Sequence, residues 1–568
     1  MNLAHLYLPQ DRQYALLHQT SLAGAGEYSL LFCDISGFTP LTETLLRRFG
    51  SGRGAELLTF YLNAIYDALI GEIDAYGGSV IGFAGDAMTC LFPTTNGALS
   101  ATACALAMQA AMGGRFRQIL LPDADSIALA MKIAVVTGPV RRFLVGDPQI
   151  QVMDVLAGTL LDHMVVLERM ADAGDILLDE ASFAQLGSAA GIAEWRESSE
   201  LRTRAALIDG LAVDLGRIRA AISPIVPLAE IPDPAATRAW LLPPIYARLT
   251  DGSAQFFADV RPTVVLFLSF QGIDYDHDPA AERKLQTYLR WCQQTLARYE
   301  GFLLQLVTGD KGSYFYAAFG APLAHDDDPE RAVAAALALR DLPASCAFIE
   351  SVRIGISTGW VYAGAYGGRH RRTYGVLGDE VNMAARLMQA AAPGQVLVSQ
   401  RIARVVAHLY DLQSLGEIRI KGKAAPVAIS AVAGRHQRIQ APSGLFVYHV
   451  LVGRERELAW LDQLLPPVLA GNGRIAMVEG AAGVGKSQLI AGWSNRVRQR
   501  GVRVIVGMCR SVNQRIAYTP WRPIVCNLLN ISPTRLPNLP LEEQIGQLEA
   551  AVKAANPAWL LRLPLLGD

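Results

Sequence analysis

Two aspartates stand where strand-like apolar runs give way to glycine. Asp34 closes the run in YSLLFCDISGF from Tyr28, and Asp86 lies in the turn of GGSVIGFAGDAMTCLFP from Gly77. Two carboxylates at adjacent strand ends make a hard oxygen site suited to Mg²⁺ or Mn²⁺. Between them Ile35, Ser36, Gly37, Phe38 and Thr39 are expected to turn into a helix, whose first N–H groups can hold phosphate oxygens. Much later, YGVLGDEVNMAARLM sets Asn382 and Arg386 four residues apart on one helical face. Such a pair can orient a sugar and neutralise charge on a transferring phosphoryl group. Lys421, in GEIRIKGKAAPVAI, adds a cation suited to terminal phosphates. A separate stretch, GAAGVGKS, fits the phosphate-loop pattern G-x-x-x-x-G-K-[ST]. There the backbone around Gly480, Gly483 and Gly485 would cradle phosphates, Lys486 would reach the β- and γ-oxygens, and Ser487 would ligand Mg²⁺, so Mg-ATP is the expected occupant.

The elements that position these residues come twice. PTVVLFLSFQGI from Pro262 repeats the outline of the run from Tyr28, and EGFLLQLVTGDKGSYFYAAFG from Glu300 repeats the hairpin from Gly77. MKIAVVTGPVRRFLVG from Met131 matches VRIGISTGWVYAGAYG from Val352, and GDILLDEASF from Gly174 matches GQVLVSQRIA from Gly394. Each copy reads strand, helix, strand pair, helix, strand pair, helix, strand, which suits a ferredoxin-like mixed sheet covered by helices. The copies have diverged in complementary ways. The second has Ser269 where the first has Asp34, although it keeps Asp310; the first has Asp162 and Val166 where the second has Asn382 and Arg386. One copy therefore supplies the cation ligands and the other the amide and guanidinium.

Composition narrows the class. Lys+Arg number 51 against 52 Asp+Glu, a net charge of -1, so no basic field exists to hold a nucleic acid. With 51% hydrophobic and 18% charged residues the chain can bury ordinary cores. Seven scattered cysteines without a CxxC pair point to a reducing compartment. The N-terminus lacks the pattern of an export signal, and the long uncharged run from Ala87 to Gly114 is broken by Pro93 and too weakly apolar to span a bilayer. A cytoplasmic protein without membrane or nucleic-acid partners is expected.

These motifs resemble the class III nucleotidyl cyclases, most closely the tandem catalytic domains of soluble adenylyl cyclases, over roughly residues 28 to 432. The resemblance implies an α/β (α+β) fold of two ferredoxin-like cyclase domains packed as a pseudo-symmetric pair with the active site between them. It assigns Asp34, Asp86 and the Ile35 carbonyl to two Mg²⁺ or Mn²⁺ ions, Asn382 to the ribose, Arg386 to the transition state and Lys421 to the triphosphate. The implied reaction converts ATP to 3′,5′-cyclic AMP and pyrophosphate. In the family a lysine on the second domain's hairpin and an aspartate or threonine ahead of the Asn/Arg helix read adenine; here Gln305 and Gly375, with Val376 beside it, occupy the base-binding positions. Glutamine offers both donor and acceptor, so guanine stays open as an alternative. The second, degenerate cleft could take a small-molecule or anion regulator, but Gly82 replaces the lysine that holds bicarbonate in responsive relatives, the helix around Met164, Val165 and Val166 offers no arginine, and Arg141 and Arg142 on a neighbouring strand are the expected partial substitutes.

The expected organisation is an N-terminal segment (1–27), a first cyclase domain (28–215), a Pro-rich linker (216–258) too proline-dense for a helix, a second cyclase domain (259–433), a linker (434–447) and the N-terminal part of a P-loop NTPase (448–568). In that last region, strands are expected before the glycine loop and at RGVRVIVGMC. No Walker-B acid follows, because Arg562 and Pro564 interrupt WLLRLPLLGD, so the chain is expected to be part of a longer protein with a signalling partner for its C-terminal region. An inactive nucleotide-sensing pair that regulates a C-terminal ATPase is the remaining alternative.

Overall fold

The computed structural model describes residues 3–93, 95–122, 125–198, 203–222, 234–250, 259–308, 312–325, 327–419, 426–435, 453–480, 486–507, 521–529 and 541–560. Two compact units divide the chain, residues 1–436 and 437–568.

The first unit holds both copies of the repeat. Copy one contains β1 (Ala25–Ser36), β2 (Ser79–Ala84), β3 (Ala87–Pro93), a small hairpin of β4 (Gln118–Leu120) and β5 (Ser126–Ala128), then β6 (Ala130–Asp147), β7 (Gln151–Ala157), β8 (Ile176–Asp179), β9 (Ala190–Ser198) and β10 (Thr203–Leu211). Its helices are α2 (Phe38–Ala75), α3 (Gly97–Ala111), α4 (Thr159–Met170) and α5 (Glu180–Leu186), preceded by α1 (Gln10–Leu17) and followed by α6 (Leu215–Ala221). Copy two contains β11 (Asp259–Gln271), β12 (Phe302–Val307), β13 (Ser313–Phe319), β14 (Ser351–Gly367), β15 (Arg372–Leu377), β16 (Val396–Ser399), β17 (Tyr410–Ile418) and β18 (Val427–Arg435). Its helices are α9 (Ala281–Arg298), α10 (Asp328–Arg340), α11 (Asp379–Ala390) and α12 (Gln400–Val406).

The sheets follow one path. Copy one runs β2-β3-β1-β6-β8-β10-β9 with β7 paired to β6; copy two runs β12-β13-β11-β14-β16-β18-β17 with β15 paired to β14. The central strands bury both faces. Leu31, Cys33 and Ile35 of β1 join the core with α2 and α3, while Leu30 faces a second cluster with α4. β6 and β8 run parallel, as do β14 and β16, which is why α4 and α11 must cross between them.

The copies are locked head to tail by exchanged hairpins. The β6–β7 tip reaches α9 of copy two: Gln293 Oε1 accepts from Asp147 N at 2.7 Å, its Nε2 donates to Gln151 O at 2.8 Å, and Gln286 Oε1 accepts from Gly146 N at 2.6 Å. Reciprocally, the β14–β15 tip reaches α2 of copy one, where Asn63 Oδ1 accepts from Gly367 N at 3.2 Å and Asp67 Oδ1 from Arg369 N at 2.8 Å. Apolar residues follow suit. Tyr362 and Tyr366 pack in the core of copy one, Phe143 and Val145 in that of copy two.

The N-terminal segment and the Pro-rich linker both contribute to this body. Within residues 1–27, Ala4 and Leu8 are buried against copy two, and Asp11 on α1 pairs with Arg142. Within residues 216–258, where proline density argued against helices, α7 (Pro234–Thr237) and α8 (Pro243–Thr250) form. Pro234, Pro243 and Pro244 fall in first turns, where the missing N–H would have no partner anyway. Ile245 and Leu249 then bury into the core of copy two.

The second unit contains α13 (Glu455–Gln463), α14 (Leu465–Leu469), α15 (Lys486–Gln499), α16 (Trp521–Leu528) and α17 (Leu541–Ala555). Leu458, Leu461 and Leu489 form its small core. The strands expected at 474–480 and 502–507 do not form, and Ile475 and Met477 stand exposed. A strand needs a hydrogen-bonding neighbour, and among the described residues this unit offers none. No described helix is long and apolar enough to cross a membrane.

Candidate functional site

Asp34 lies two residues before the end of β1 and pairs in register with Ala87 on one side and Lys132 on the other. Asp86 occupies the β2–β3 turn, and its carbonyl accepts from Ile35 N at 3.4 Å, so the two carboxylates share one end of the sheet. Burial pushes the Asp86 carboxyl up to about 7, with repulsion from Asp34 adding to it. Asp34 is also raised, by burial and then by Glu168, with Lys132 opposing. Among the described residues no three His, Cys, Asp or Glu side chains gather as metal ligands. Two carboxylates and the Ile35 carbonyl are nonetheless an all-oxygen donor set that fits a divalent cation completed by phosphate and water.

The segment between the carboxylates differs in detail from expectation. Ile35 and Ser36 remain in β1, because Ser36 still pairs with Ala130, and the helix starts abruptly at Phe38. Gly37 makes that start possible. Its φ is 96°, and a Cβ there would meet the Ala128 carbonyl at 2.6 Å. Phe38 is buried and anchors the first turn of α2. The Thr39 side chain lies outside what the structure describes.

A cleft of about 220 Å³ opens between the two copies. Phe38, Thr42 and Asp86 of copy one face Gln305, Val376 and Asn382 of copy two across it. Asp34 and Arg386 are not among its walls. Asp34 stands on β1 one residue before Ile35, whose N–H meets the Asp86 carbonyl, and Arg386 follows the wall residue Ala385 on α11, exposed, its Nη1 donating to Gln389 Oε1 at 3.3 Å. Gly375 lies on β15 opposite Gly364, immediately before Val376. Lys421 and Asp310 fall outside the described residues. In the second unit Lys486 opens α15 and its Nζ donates to Gly480 O at 2.7 Å; Gly483, Gly485 and the Ser487 side chain lie outside the described residues.

The sequence reading missed Lys132 and Glu168. Lys132 Nζ bridges Asp34 Oδ2, at 3.7 Å, and Glu168 of α4. The available signal was a lone charge near the start of β6, the strand whose Lys132 pairs with Asp34 of β1. Nor do the arginines considered for the degenerate cleft serve there. Arg141 Nη1 donates to the carbonyls of Tyr275 and Asp278 at 2.9 and 2.8 Å. Arg142 is buried, with Nε and Nη2 donating to Asp154 at 2.6 and 2.7 Å and further bonds to Asp11. That second cleft presents Asp154, Asp162 and Glu168 among its walls, with Arg169 of α4, which the sequence reading did not consider, as a cation beside them.

The sequence profile of the adenylate and guanylate cyclase catalytic domain matches residues 304–432. The chain carries a class III cyclase catalytic domain. An AAA ATPase domain matches residues 450–561. Human adenylate cyclase type 10 is 22% identical over 539 residues, covering 88% of this chain and 33% of that protein. The rat protein of the same name is 23% identical over 499 residues, 81% of this chain and 30% of that protein. This cyclase homologue thus spans about a third of the length of the curated relatives it matches. Among solved structures, the adenylyl cyclase CyaB from P. aeruginosa is 24% identical, with 32% of this chain and 97% of that chain covered and a TM-score of 0.28. A class III adenylyl cyclase-like ATP-binding protein from Pseudomonas aeruginosa is 15% identical over 67% of this chain and 85% of that chain, with a TM-score of 0.47.

Proposed function

We propose that the chain is an adenylyl cyclase that converts ATP to 3′,5′-cyclic AMP and pyrophosphate at a single site shared by its two copies. The observation that carries this is the cleft in which Asp86 and Phe38 of one copy face Gln305, Val376 and Asn382 of the other. Asn382 would orient the ribose so that its 3′-oxygen attacks the α-phosphorus; the bond to the bridging oxygen breaks, and pyrophosphate leaves as the 3′-hydroxyl proton passes to solvent. Arg386, one helical turn on, would swing to the α-phosphoryl oxygens as their charge grows, and Lys421 would hold the departing phosphates. Two Mg²⁺ or Mn²⁺ ions at Asp34, Asp86 and the Ile35 carbonyl would lower the 3′-hydroxyl pKa and neutralise the phosphates. Ser269, in Asp34's place in copy two, has no such role, which confines the chemistry to one cleft. The similarity to human adenylate cyclase type 10 supports ATP as substrate. We assign the protein to the cytoplasm, with the AAA module as a nucleotide-binding regulatory partner.

The test supplies the chain with Mn²⁺ and ATP or GTP in parallel and measures cyclic product. Asp34→Ala and Arg386→Ala should each lower kcat on the order of 10²–10³ fold. Ser269→Ala should change little, and Lys486→Ala should leave cyclic product forming. No cyclic product from either nucleotide, or equal losses from Asp34→Ala and Ser269→Ala, would overturn the proposal.

A further inference from the structure

The ladders make the two copies superimposable residue by residue around the cleft. In copy one, Gly82 of β2 pairs with Thr89 of β3, which pairs with Phe32 of β1. In copy two, Gln305 of β12 pairs with Tyr316 of β13, which pairs with Phe267 of β11. Val155 of β7, two residues before the strand ends at Ala157, corresponds to Gly375 of β15, two before Leu377. Side-chain size is therefore distributed differently over the corresponding positions of the two copies. Copy one carries valine and threonine at the positions where copy two carries glycine and tyrosine.

Contact geometry accounts for the difference. A Cβ at Gly375 would stand 3.2 Å from Tyr316 Oη and 3.1 Å from Tyr366 Oη. The space a side chain at 375 would take is thus held by two phenol oxygens. Tyr316 is 6% exposed, its ring stacks on Phe267 with centroids 5.2 Å apart, and it lines the cleft beside Gln305 and Val376. Its oxygen takes a backbone hydrogen bond from Val376, and burial keeps the phenol protonated. With the Val376 N–H already on the oxygen, the O–H remains to be donated, and donation is the stronger of the hydroxyl's remaining capacities.

We propose that the Tyr316 hydroxyl is a specificity-determining group of the cleft and, with the Gln305 amide, selects adenine over guanine. The inference rests on the cyclase reading above. Adenine presents an acceptor, N1, next to a donor, the 6-amino group; guanine presents a protonated N1 next to an acceptor, O6. A phenol donor beside an amide carbonyl complements the first arrangement and opposes a donor to the second. Gln305 alone fits either base, so the hydroxyl carries the discrimination.

The experiment measures kcat and KM for ATP and GTP with Mn²⁺ in the full chain and in two variants. Tyr316→Phe removes only the oxygen; Gly375→Ala leaves Tyr316 in place and displaces its hydroxyl. Both should raise the KM for ATP more than they lower kcat, leave GTP turnover near its starting level, and narrow the ATP:GTP ratio of kcat/KM on the order of tenfold. Equal losses for both nucleotides would show a packing role and overturn the inference, as would an unchanged ratio in either variant or a parent protein that prefers GTP. Equal losses or an unchanged ratio leave the adenylyl cyclase reading standing, whereas a parent that prefers GTP leaves the cyclase chemistry but overturns ATP as its substrate. A parent that makes neither cyclic nucleotide would overturn both together.

Discussion

Replacing Arg142 by alanine should unfold the protein far more readily without touching the cleft walls. The Arg142 side chain is 4% exposed and Asp154 3%, and the guanidinium bonds Asp154 through Nε and Nη2 and Asp11 through Nη1 and Nη2. Without it, Asp154 keeps only Arg12 as an ionic partner among the described contacts, and Asp11 keeps Ser79 and the Arg12 N–H. Removing one member of a buried ion cluster typically costs about 3–5 kcal/mol, because the charges left behind have lost both water and partner. The loss should appear in urea unfolding followed by tryptophan fluorescence. Asp11→Asn and Asp154→Asn introduced together with Arg142→Ala should recover part of it. The pH dependence has a definite sign. Burial raises the Asp11 carboxyl, but Arg142 outweighs it and holds the group below its ordinary value. Its contribution is therefore complete above about pH 4 and fades as pH falls through the depressed pKa; in Arg142→Ala it should be lost at higher pH. A cost below about 1 kcal/mol would refute the clamp. Stabilisation of the parent by added bicarbonate that disappears in Arg142→Ala would return this residue to the role of anion ligand.

Two further outcomes test the lock between copies and a surface cluster. Gln293→Ala orphans the Asp147 N–H and the Gln151 carbonyl, at roughly 1–3 kcal/mol each, so thermal denaturation should come earlier than in Gln286→Ala, whose two bonds to Gly146 are only partly buried; equal midpoints would contradict the larger cost assigned to the buried Gln293 bonds. His325 is raised by its bond to Asp328, against burial, with Glu300 assisting. Its stabilisation should be full below about pH 6.5 and lost as pH rises through the elevated pKa, so the stability gap between parent and His325→Gln should close by alkaline pH. A gap unchanged from pH 5.5 to 9 would contradict it.

Much of this was legible because the chain states it twice. Strand outlines around Asp34 and Ser269 repeat, and so do the sheets they enter. Spacing alone misleads in the hairpin: Gly82 is four residues before Asp86 whereas Gln305 is five before Asp310, yet both sit at the same rung of their ladders. What stayed hidden depends on distant partners. Asp11 and Arg142 are 131 residues apart, and nothing local marks either as buried. Lys132 looks like an ordinary strand charge until Asp34 and Glu168 are beside it. Proline density around Pro243 suggested a loose tether because propensity cannot distinguish a broken helix from one that begins at proline. The runs at 474–480 and 502–507 have strand-like composition, but composition supplies no ladder partner.

The exchanged hairpins have a kinetic consequence for dilute solutions. A cleft built from two separate chains empties by dissociation as protein concentration falls, whereas here both walls travel on one polypeptide. Tethering gives each wall an effective concentration of the other in the millimolar range. The fraction of molecules with an assembled cleft should then be independent of how few copies a cell contains, and each half is free to drift in sequence without having to remain complementary to itself.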